Sequence, residues 1–171
     1  MTADFETDPQ SSDLHRRLQS FLADQTTMTL SSVTDEGNPH SCDLFYAHTS
    51  KYTFYFLSDP KTLHSQNIAR MPRVSVTIHG LSRGWEDIRG VQMEGVAMRV
   101  SEPVERLRAF ALYAGKYGFI KRWLTSVDTL GVMIEGLGVI ELYRFSPQWL
   151  RFIDNSLGFG HKDEITISTG S

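Results

Sequence analysis

A strand, a short helix and a second strand are predicted by one stretch of the sequence, YTFYFLSDPKTLHSQNIARMPRVSVTIH (residues 52–79). The apolar residues 52–57 predict the first strand, and the alternation of apolar and polar residues predicts the second over Arg73–His79. The intervening residues predict a helix over about 61–70. The chain is therefore expected to begin a helix directly where a strand ends.

The start of that helix is a candidate anion site. Asp59 is a good N-cap, and Pro60 suits the first helical position because its missing N–H would be unpaired there anyway. Free backbone N–H groups and the positive end of the helix dipole would then point outward beside Lys61, Thr62 and His64. A cation and a hydroxyl at a helix N-terminus suit a phosphate group. The alternative is a capped surface helix with a solvated lysine.

The rest of the chain reads as strands joined by short turns. Further strands are predicted over 26–33, 39–48, 88–100, 139–145 and 149–153, with Pro147 as a turn; helices are predicted over 13–24 and 103–117, and a helical turn over 119–124. Two glycines inside 88–100 indicate bulges or a close approach of another group to the backbone. Helix 103–117 is expected to bury the stripe Val104, Leu107, Phe110, Ala111 and Ala114. Six or seven strands with few helices predict a mainly β domain, a closed antiparallel barrel with flanking helices.

Composition limits the class of protein. The 171 residues suffice for one domain with a substantial core, and the net charge of −3 gives no general attraction to nucleic acid. A single cysteine, Cys42, excludes an intramolecular disulfide and fits a reducing cytoplasm. No signal peptide or membrane-spanning run is apparent. We expect a cytoplasmic single domain over 13–171 after a flexible leader over 1–12, with no membrane or nucleic-acid partner.

The usual signatures of side-chain chemistry are absent from the sequence. There is no GxGxxG or GxxxxGK[ST] loop, no GxSxG, and no HxH or HxxxH pair. His40 and Cys42 share one face of a predicted strand and Asp43 lies on the other, so no metal site is predicted. If the protein is an enzyme, a cofactor is expected to carry the chemistry.

Three pieces of sequence carry a family resemblance: FYFLSDPKTLHSQNIARMPRVSVTI, IRGVQMEGVAMRV and YRFSPQWLRFIDNSLGFGHK. Together, from about Leu18 to Ile167, they resemble the FMN-binding split-barrel family typified by pyridoxamine 5′-phosphate oxidase. The closing DNSLGFGHK looks like a small bacterial branch of that family with a DNxLGFG tail. The resemblance implies an FMN-binding, six- to seven-stranded split barrel that holds FMN at a homodimer interface.

The resemblance also implies roles for particular residues. Phe56, Leu57 and Ser58 would run along the isoalloxazine ring, and Lys61 and Thr62, with His64, would hold the phosphate. Arg89 is a second candidate for phosphate or ring contact, and Gln92 is a candidate hydrogen-bond partner. Trp85, Trp123 and Trp149 are candidates for the subunit seam, with core packing as the alternative.

The tail departs from the pattern of the pyridoxamine 5′-phosphate oxidases. Where those enzymes carry an Arg and a His that hold the substrate, this chain has Phe159 and His161. A phenyl ring cannot replace a bidentate phosphate clamp, so a different substrate is expected. Asn155, His161 and Lys162 are candidates for lining a substrate pocket, with a well-packed turn as the alternative.

Two functions follow from these expectations. The first is an FMN-dependent oxidoreductase acting on a small molecule, in which the protein orients the ring and its partner. The second is a non-enzymatic module that binds flavin, haem or another planar ligand as a sensor or store. A related deazaflavin is the alternative to FMN as the cofactor.

Overall fold

The computed structural model describes residues 9–118, 124–128, 131–134 and 138–167. The helices are α1 (Pro9–Asp24), α2 (Leu63–Arg70) and α3 (Pro103–Lys116). The strands are β1 (Thr27–Val33), β2 (Pro39–Phe45), β3 (Ala47–His48), β4 (Phe54–Ser58), β5 (Arg73–His79), β6 (Arg89–Arg99), β7 (Leu124–Asp128), β8 (Gly131–Ile134), β9 (Gly138–Asp154) and β10 (Lys162–Thr166). Single 3-10 turns lie at Trp85–Asp87 and Asn155–Leu157.

The sheet is antiparallel at every described pairing. Seven strands form its continuous path in the order β2-β1-β5-β6-β9-β4-β3; β10 pairs with β9, and the β7–β8 hairpin pairs with β9 through β8. The six- to seven-stranded antiparallel split barrel expected from the sequence is confirmed.

Two helices contribute side chains to the barrel core. α1 contributes Leu18, Phe21 and Leu22, which are at most 3% exposed, and α2 contributes Ile68. The inward faces of the strands supply the rest, because apolar residues alternate with polar ones as in β5, where Val74, Val76 and Ile78 point inward. The position of α2 fixes where β4 ends and therefore where the candidate site lies.

The longest strand, β9, pairs with β6 along most of its length and passes through Pro147 without a break. The predicted turn at Pro147 is therefore wrong. The ladder accommodates this proline by a register shift between Glu94 and Gly95, which confirms one of the predicted bulges. A Cβ on Gly95 would lie 2.2 Å from the Ser146 carbonyl oxygen, so the crossing requires glycine.

Several helices and strands begin or end at residues other than those predicted. Strand 39–48 is divided at Tyr46, whose hydroxyl donates to the Leu22 carbonyl at 2.7 Å and so ties the chain to α1. α1 begins at Pro9, four residues before the predicted start, and residues 1–8 of the predicted leader lie outside the described residues. The predicted helical turn over 119–124 also lies outside them, except for Leu124, which begins β7.

The buried side of α3 differs from the predicted stripe. Phe110 and Ala114 are buried as expected, but Val104, Leu107 and Ala111 are exposed. Arg106, Ala109 and Tyr113 take their place against the barrel. Arg106 can be buried there because its guanidinium donates to the Val100 carbonyl at 3.0 Å and to Glu141 at 3.2 Å.

Candidate functional site

The corner between β4 and α2 brings together six of the predicted site residues. α2 begins at Leu63 with Thr62 as its N-cap, so the prediction of Asp59 as N-cap with Pro60 in the first turn is wrong. Asp59 instead forms a separate turn: its carboxylate accepts from the Lys61 N–H at 2.8 Å, and its carbonyl accepts from the Thr62 N–H at 3.1 Å. The helix therefore begins two residues later than predicted, because this turn already satisfies the N–H groups of Lys61 and Thr62.

A compact cluster of hydroxyls and one imidazole lies inside this corner. The Nε2 atom of His64 is 2.6 Å from the Ser58 hydroxyl and 3.1 Å from the Thr62 hydroxyl. Thr62 also donates to Ser65 at 2.9 Å, and Ser65 donates to Ser58 at 3.2 Å. Burial, followed by the nearby His40, lowers the pKa of His64. The imidazole is therefore held neutral at neutral pH, and the cluster is polar without being charged.

The exposed parts of the corner are suited to an anion. Lys61 is exposed and Thr62 is partly exposed, whereas Ser58, His64 and Ser65 are buried. The Thr62 side chain makes no capping hydrogen bond to the helix backbone. The first-turn amides of α2 therefore keep their capacity to bind an acceptor from outside. We call Lys61, Thr62 and these amides the seat.

The strand leading to the seat contributes backbone and one partly exposed side chain. Phe56 is fully buried and stacks on Tyr143, with ring centroids 5.2 Å apart and planes at 11°. Its side chain therefore does not lie on the surface, and only its backbone could run beside a ring. Leu57 is partly exposed and packs towards α3 beside Phe110.

The sequence reading missed four groups at this corner. Ser65 belongs to the hydroxyl cluster, and Tyr143 lies close enough to Ser65, Asp59 and Arg99 for each to affect its pKa, which burial raises. Arg99 is half-exposed and pairs with the buried Glu141 at 2.7 Å. Ser65 follows Thr62 at helical spacing and could have been found from the sequence, whereas Tyr143, Arg99 and Glu141 reach the corner only through strand pairing.

The remaining predicted residues lie elsewhere. Ser58 is paired with Glu141 near the start of β9, whereas Arg89 is paired with Asp154 at its end. Arg89 is 3.4 Å from the buried Asp154 carboxylate and lies over the ring of Phe21, 5.4 Å from its centroid. It therefore belongs to the α1 end of the barrel and not to the seat of the same chain.

Gln92 lies on the outer face of the sheet, on the opposite face of β6 from the inward-pointing Val91 and Met93. Its side-chain oxygen accepts from Arg151 at 3.4 Å. Arg151 also pairs with Glu164 at 2.7 Å and lies over the ring of Trp149 at 4.8 Å. Gln92 and Trp149 are thus part of an exposed polar face away from the seat.

The tail residues form a loop that is held by hydrogen bonds and lies near Arg89. Asn155 donates to the Trp85 carbonyl at 2.6 Å and accepts from the Gly160 N–H at 3.1 Å. Trp85 meets Phe159 edge to face at 5.2 Å, and both rings are largely exposed. We call these two rings the aromatic pair.

The two basic residues of the tail differ in their surroundings. His161 is 3.2 Å from Asp163, which also pairs with Arg17 of α1 at 3.2 Å, and Lys162 is exposed. The loop thus places Asn155, His161 and Lys162 close to Asp154, whose carboxylate pairs with Arg89. Trp123, the other tryptophan considered for the seam, lies outside the described residues.

Two absences hold for the described residues. No group of three or more His, Cys, Asp or Glu side chains in them is placed to hold a metal ion. His40 and Cys42 do share a face, as predicted, and burial raises the pKa of the Cys42 thiol to about 11. Within the same ranges, no helix has the length and apolar character that crossing a membrane requires.

Comparison with known proteins shows which family model and which relatives the chain resembles. Residues 14–140 match the family model described as pyridoxamine 5′-phosphate oxidase. A UPF0306 protein from Enterobacter sp. (strain 638) is 29% identical over 143 residues, which cover 83% of this chain and 89% of the relative.

Solved structures agree on the fold. A heme binding protein from Mycobacterium smegmatis superposes with a TM-score of 0.69 at 21% identity, over 89% of this chain and 57% of that protein. HutZ, the heme storage protein from Vibrio cholerae, gives 0.62 at 17% identity, over 77% of this chain and 88% of HutZ. At these identities the likeness concerns the fold alone.

Proposed function

The chain belongs to the pyridoxamine 5′-phosphate oxidase family, and from this premise we propose that it is an FMN-binding flavoprotein, an oxidoreductase acting on a small molecule. The observation that carries the proposal is the seat, where an exposed lysine, a hydroxyl and uncapped helix amides converge directly after a strand. These are the donors that a phosphate ester requires. When bound, FMN would supply the hydride chemistry that the side chains of this protein do not offer.

The residues of the chain would hold and orient the cofactor. Lys61 would neutralise phosphate charge, and the first-turn amides would donate hydrogen bonds to phosphate oxygens. The Thr62 hydroxyl would turn its proton from Ser65 towards the phosphate. The β4 backbone at residues 56–58 would lie beside the ring, with Leu57 as the apolar side chain next to it. The buried His64 would act through Ser58 and Thr62, whose hydroxyls it holds in position.

A second subunit is part of the proposal. Arg89 and the tail loop lie at the other end of β9 from the seat, so one chain does not bring them to the same ligand. A homodimer in which one copy faces the other would allow Arg89, the aromatic pair and His161 to approach a ring held at the seat of the other copy. Phe159, in the position of the substrate-binding arginine, supports a substrate other than pyridoxamine 5′-phosphate.

The test is FMN binding by the purified protein and two lysine variants. Replacing Lys61 with Ala should weaken FMN binding by about 1–3 kcal/mol, roughly 5- to 150-fold in Kd, because a charge-assisted contact is lost. Lys51→Ala is the matched control, since Lys51 is also exposed but precedes β4. A Kd that is the same in Lys61→Ala and Lys51→Ala would refute the seat, and a protein that binds no FMN would refute the proposal.

The alternative function is a haem- or flavin-binding module without turnover. Its specific support is the fold shared with a heme binding protein and a heme storage protein. Titration with hemin and with FMN, each followed by absorbance, separates the two ligands. Tight binding of hemin with no binding of FMN would favour the module, whereas FMN binding with oxidation of NADH or NADPH would favour the oxidoreductase.

A further inference from the structure

A groove of about 440 Å³ lies where the end of α1, strand β3 and the last two turns of α3 meet. Four small residues leave this space open, namely Ala23, Ala47, Ala111 and Gly115. We call it the alanine groove. Its volume is within the range of about 300–1,000 Å³ that is typical of sites for small ligands. Two residues with nitrogen-bearing side chains, His48 and Lys116, also line it.

The Lys116 amine is held in place beside the groove. It donates to the Gln25 carbonyl at 2.6 Å and to the Leu22 carbonyl at 3.2 Å, and it lies 4.0 Å from the centre of the Tyr46 ring. The two carbonyls use two of the three N–H donors of an ammonium group. When the third proton leaves, the neutral amine keeps both hydrogen bonds and gains a lone pair.

The surroundings of Lys116 favour this neutral amine. Burial lowers the pKa of Lys116 from the ordinary 10.5 to about 8, and the nearby Asp24 on α1 opposes only part of that shift. At pH 8 about half of the Lys116 side chains are therefore neutral, compared with fewer than about 1% of ordinary lysines.

The other groups that face the amine carry no charge at this pH. On β3, His48 is neutral because burial, followed by the proximity of Lys116, lowers its pKa to about 4. Tyr46 and Tyr117 lie on the remaining sides, and burial raises the pKa of both phenols. Asp24 is thus the carboxylate whose charge acts on Lys116.

A lysine that is partly neutral beside an apolar recess is suited to attack a carbonyl group. We propose that Lys116 forms an imine with a small apolar aldehyde bound in the alanine groove. The Lys116 nitrogen forms a bond to the aldehyde carbon, and the carbonyl oxygen leaves as water with the two amine protons. The step needs no oxidant or reductant. It gives up both hydrogen bonds of the amine, so the imine is expected to reverse when the aldehyde is removed.

The alanine groove is separate from the seat. His48 in the groove is paired with Phe54 at the start of β4, whereas Ser58 ends the same strand at the corner of the seat. Four residues of strand separate these ends by about 13 Å. The proposal therefore does not rest on FMN binding, and it is tested by a covalent label on a lysine.

The first experiment treats the full chain with benzaldehyde and sodium cyanoborohydride, which reduces an imine to a stable benzylamine, and locates the label by peptide mass spectrometry. At pH 8, Lys116 should be labelled at least about tenfold faster than Lys51 and Lys162, which are exposed, because an exposed lysine is mostly protonated at this pH. The ratio of Lys116 to Lys51 labelling should fall more than about tenfold from pH 7 to pH 10, because the neutral fraction of an exposed lysine still rises steeply over this range.

Two results of this experiment would overturn the proposal. One is labelling of Lys116 that is no faster than that of Lys51, including the case in which residues 119–123 shield the groove. The other is a labelling ratio that stays constant with pH, since it would mean that Lys116 behaves as an exposed lysine.

The second experiment tests the groove itself, with correct folding of each variant checked by circular dichroism. Ala111→Leu fills the groove and should slow benzaldehyde labelling of Lys116 at least about fivefold, because the recess no longer admits the ring. Val104→Leu is the control, since Val104 is exposed on the same helix two turns earlier and does not line the groove. Equal labelling in these two variants would overturn the groove as the binding site.

A third variant tests the nucleophile. Lys116→Arg keeps a cation that can donate to the Leu22 and Gln25 carbonyls, so the fold should be retained. The rapid label should disappear in this variant. A rapid label that persists in Lys116→Arg would overturn the assignment of Lys116.

Discussion

Replacing Gly95 with Ala should destabilise the protein more than the same change at any neighbouring glycine of β6. The added Cβ would lie 2.2 Å from the Ser146 carbonyl oxygen and 2.7 Å from the Pro147 Cα. Both atoms are backbone, so no side-chain rotation relieves the contact. A normal carbon–oxygen contact is about 3.3 Å or more, so β6 and β9 would have to separate locally by about 1 Å.

The separation of β6 and β9 determines how much the free energy of unfolding should fall. Overpacking in a well-packed interior costs about 1–3 kcal/mol, and each ladder hydrogen bond weakened beside the bulge adds about 1 kcal/mol. A loss of about 4 kcal/mol is large against the roughly 5–15 kcal/mol that stabilises a typical domain. With an m-value of about 2 kcal/mol per M in urea, the unfolding midpoint should fall by about 2 M.

Gly90→Ala provides the matched control on the same strand. There the nearest backbone atom to the added Cβ is the Ile78 carbonyl oxygen at 3.2 Å, so a small adjustment suffices. Urea unfolding followed by tryptophan fluorescence should place Gly90→Ala within about 0.5 M of the wild type. Equal midpoints for Gly95→Ala and Gly90→Ala would refute the claim that the β6–β9 crossing requires a glycine.

Three further changes test buried polar groups. Burial lowers the pKa of His48 to about 4, so this side chain stays neutral in the folded protein, whereas it is protonated below about pH 6.5 in the unfolded chain. The free energy of unfolding should therefore fall by on the order of 1–2 kcal/mol as pH falls from about 6.5 to about 4. Urea titrations of His48→Gln should lack this pH-dependent loss. Asn67 is fully buried and donates to Ser32 at 3.0 Å, so Asn67→Ala should lose about 2–3 kcal/mol in the same assay, and a loss below about 0.5 kcal/mol would contradict the hydrogen bond's role. Glu141→Leu should lose about 3 kcal/mol because it leaves Arg106 buried without its carboxylate, and adding Arg106→Met should recover most of that loss; a double variant no more stable than Glu141→Leu would show that the two charges are not coupled.

Local signals in the sequence predicted most of the strand–helix–strand unit. β5 has the predicted bounds, Arg73–His79, because one face of an alternating strand is fixed by its own residues. The start of α2 was predicted two residues early. Asp59 satisfies the N–H of Lys61 and the N–H of Thr62 in a turn of its own, and turn and cap compete for the same short-range donors.

The errors in β9 and α3 have a different origin. Whether Pro147 ends a strand depends on what lies opposite its missing N–H, and here the opposite residue is the bulge at Gly95. Which side of α3 faces the barrel depends on the sheet that it meets, because both sides are apolar. In each case the deciding neighbour is far away in the sequence, so periodicity alone could not identify it.

The candidate site also contains residues placed by local sequence signals and residues placed by distant strand pairing. Phe56, Leu57, Ser58, Lys61, Thr62 and His64 come together because they are consecutive around one turn, and the sequence could predict their proximity. Arg89 and the tail loop are far along the sheet, and only the pairing of β6 with β9 fixes their position at the α1 end. If both groups serve one ligand, the ligand must lie between two copies of the chain.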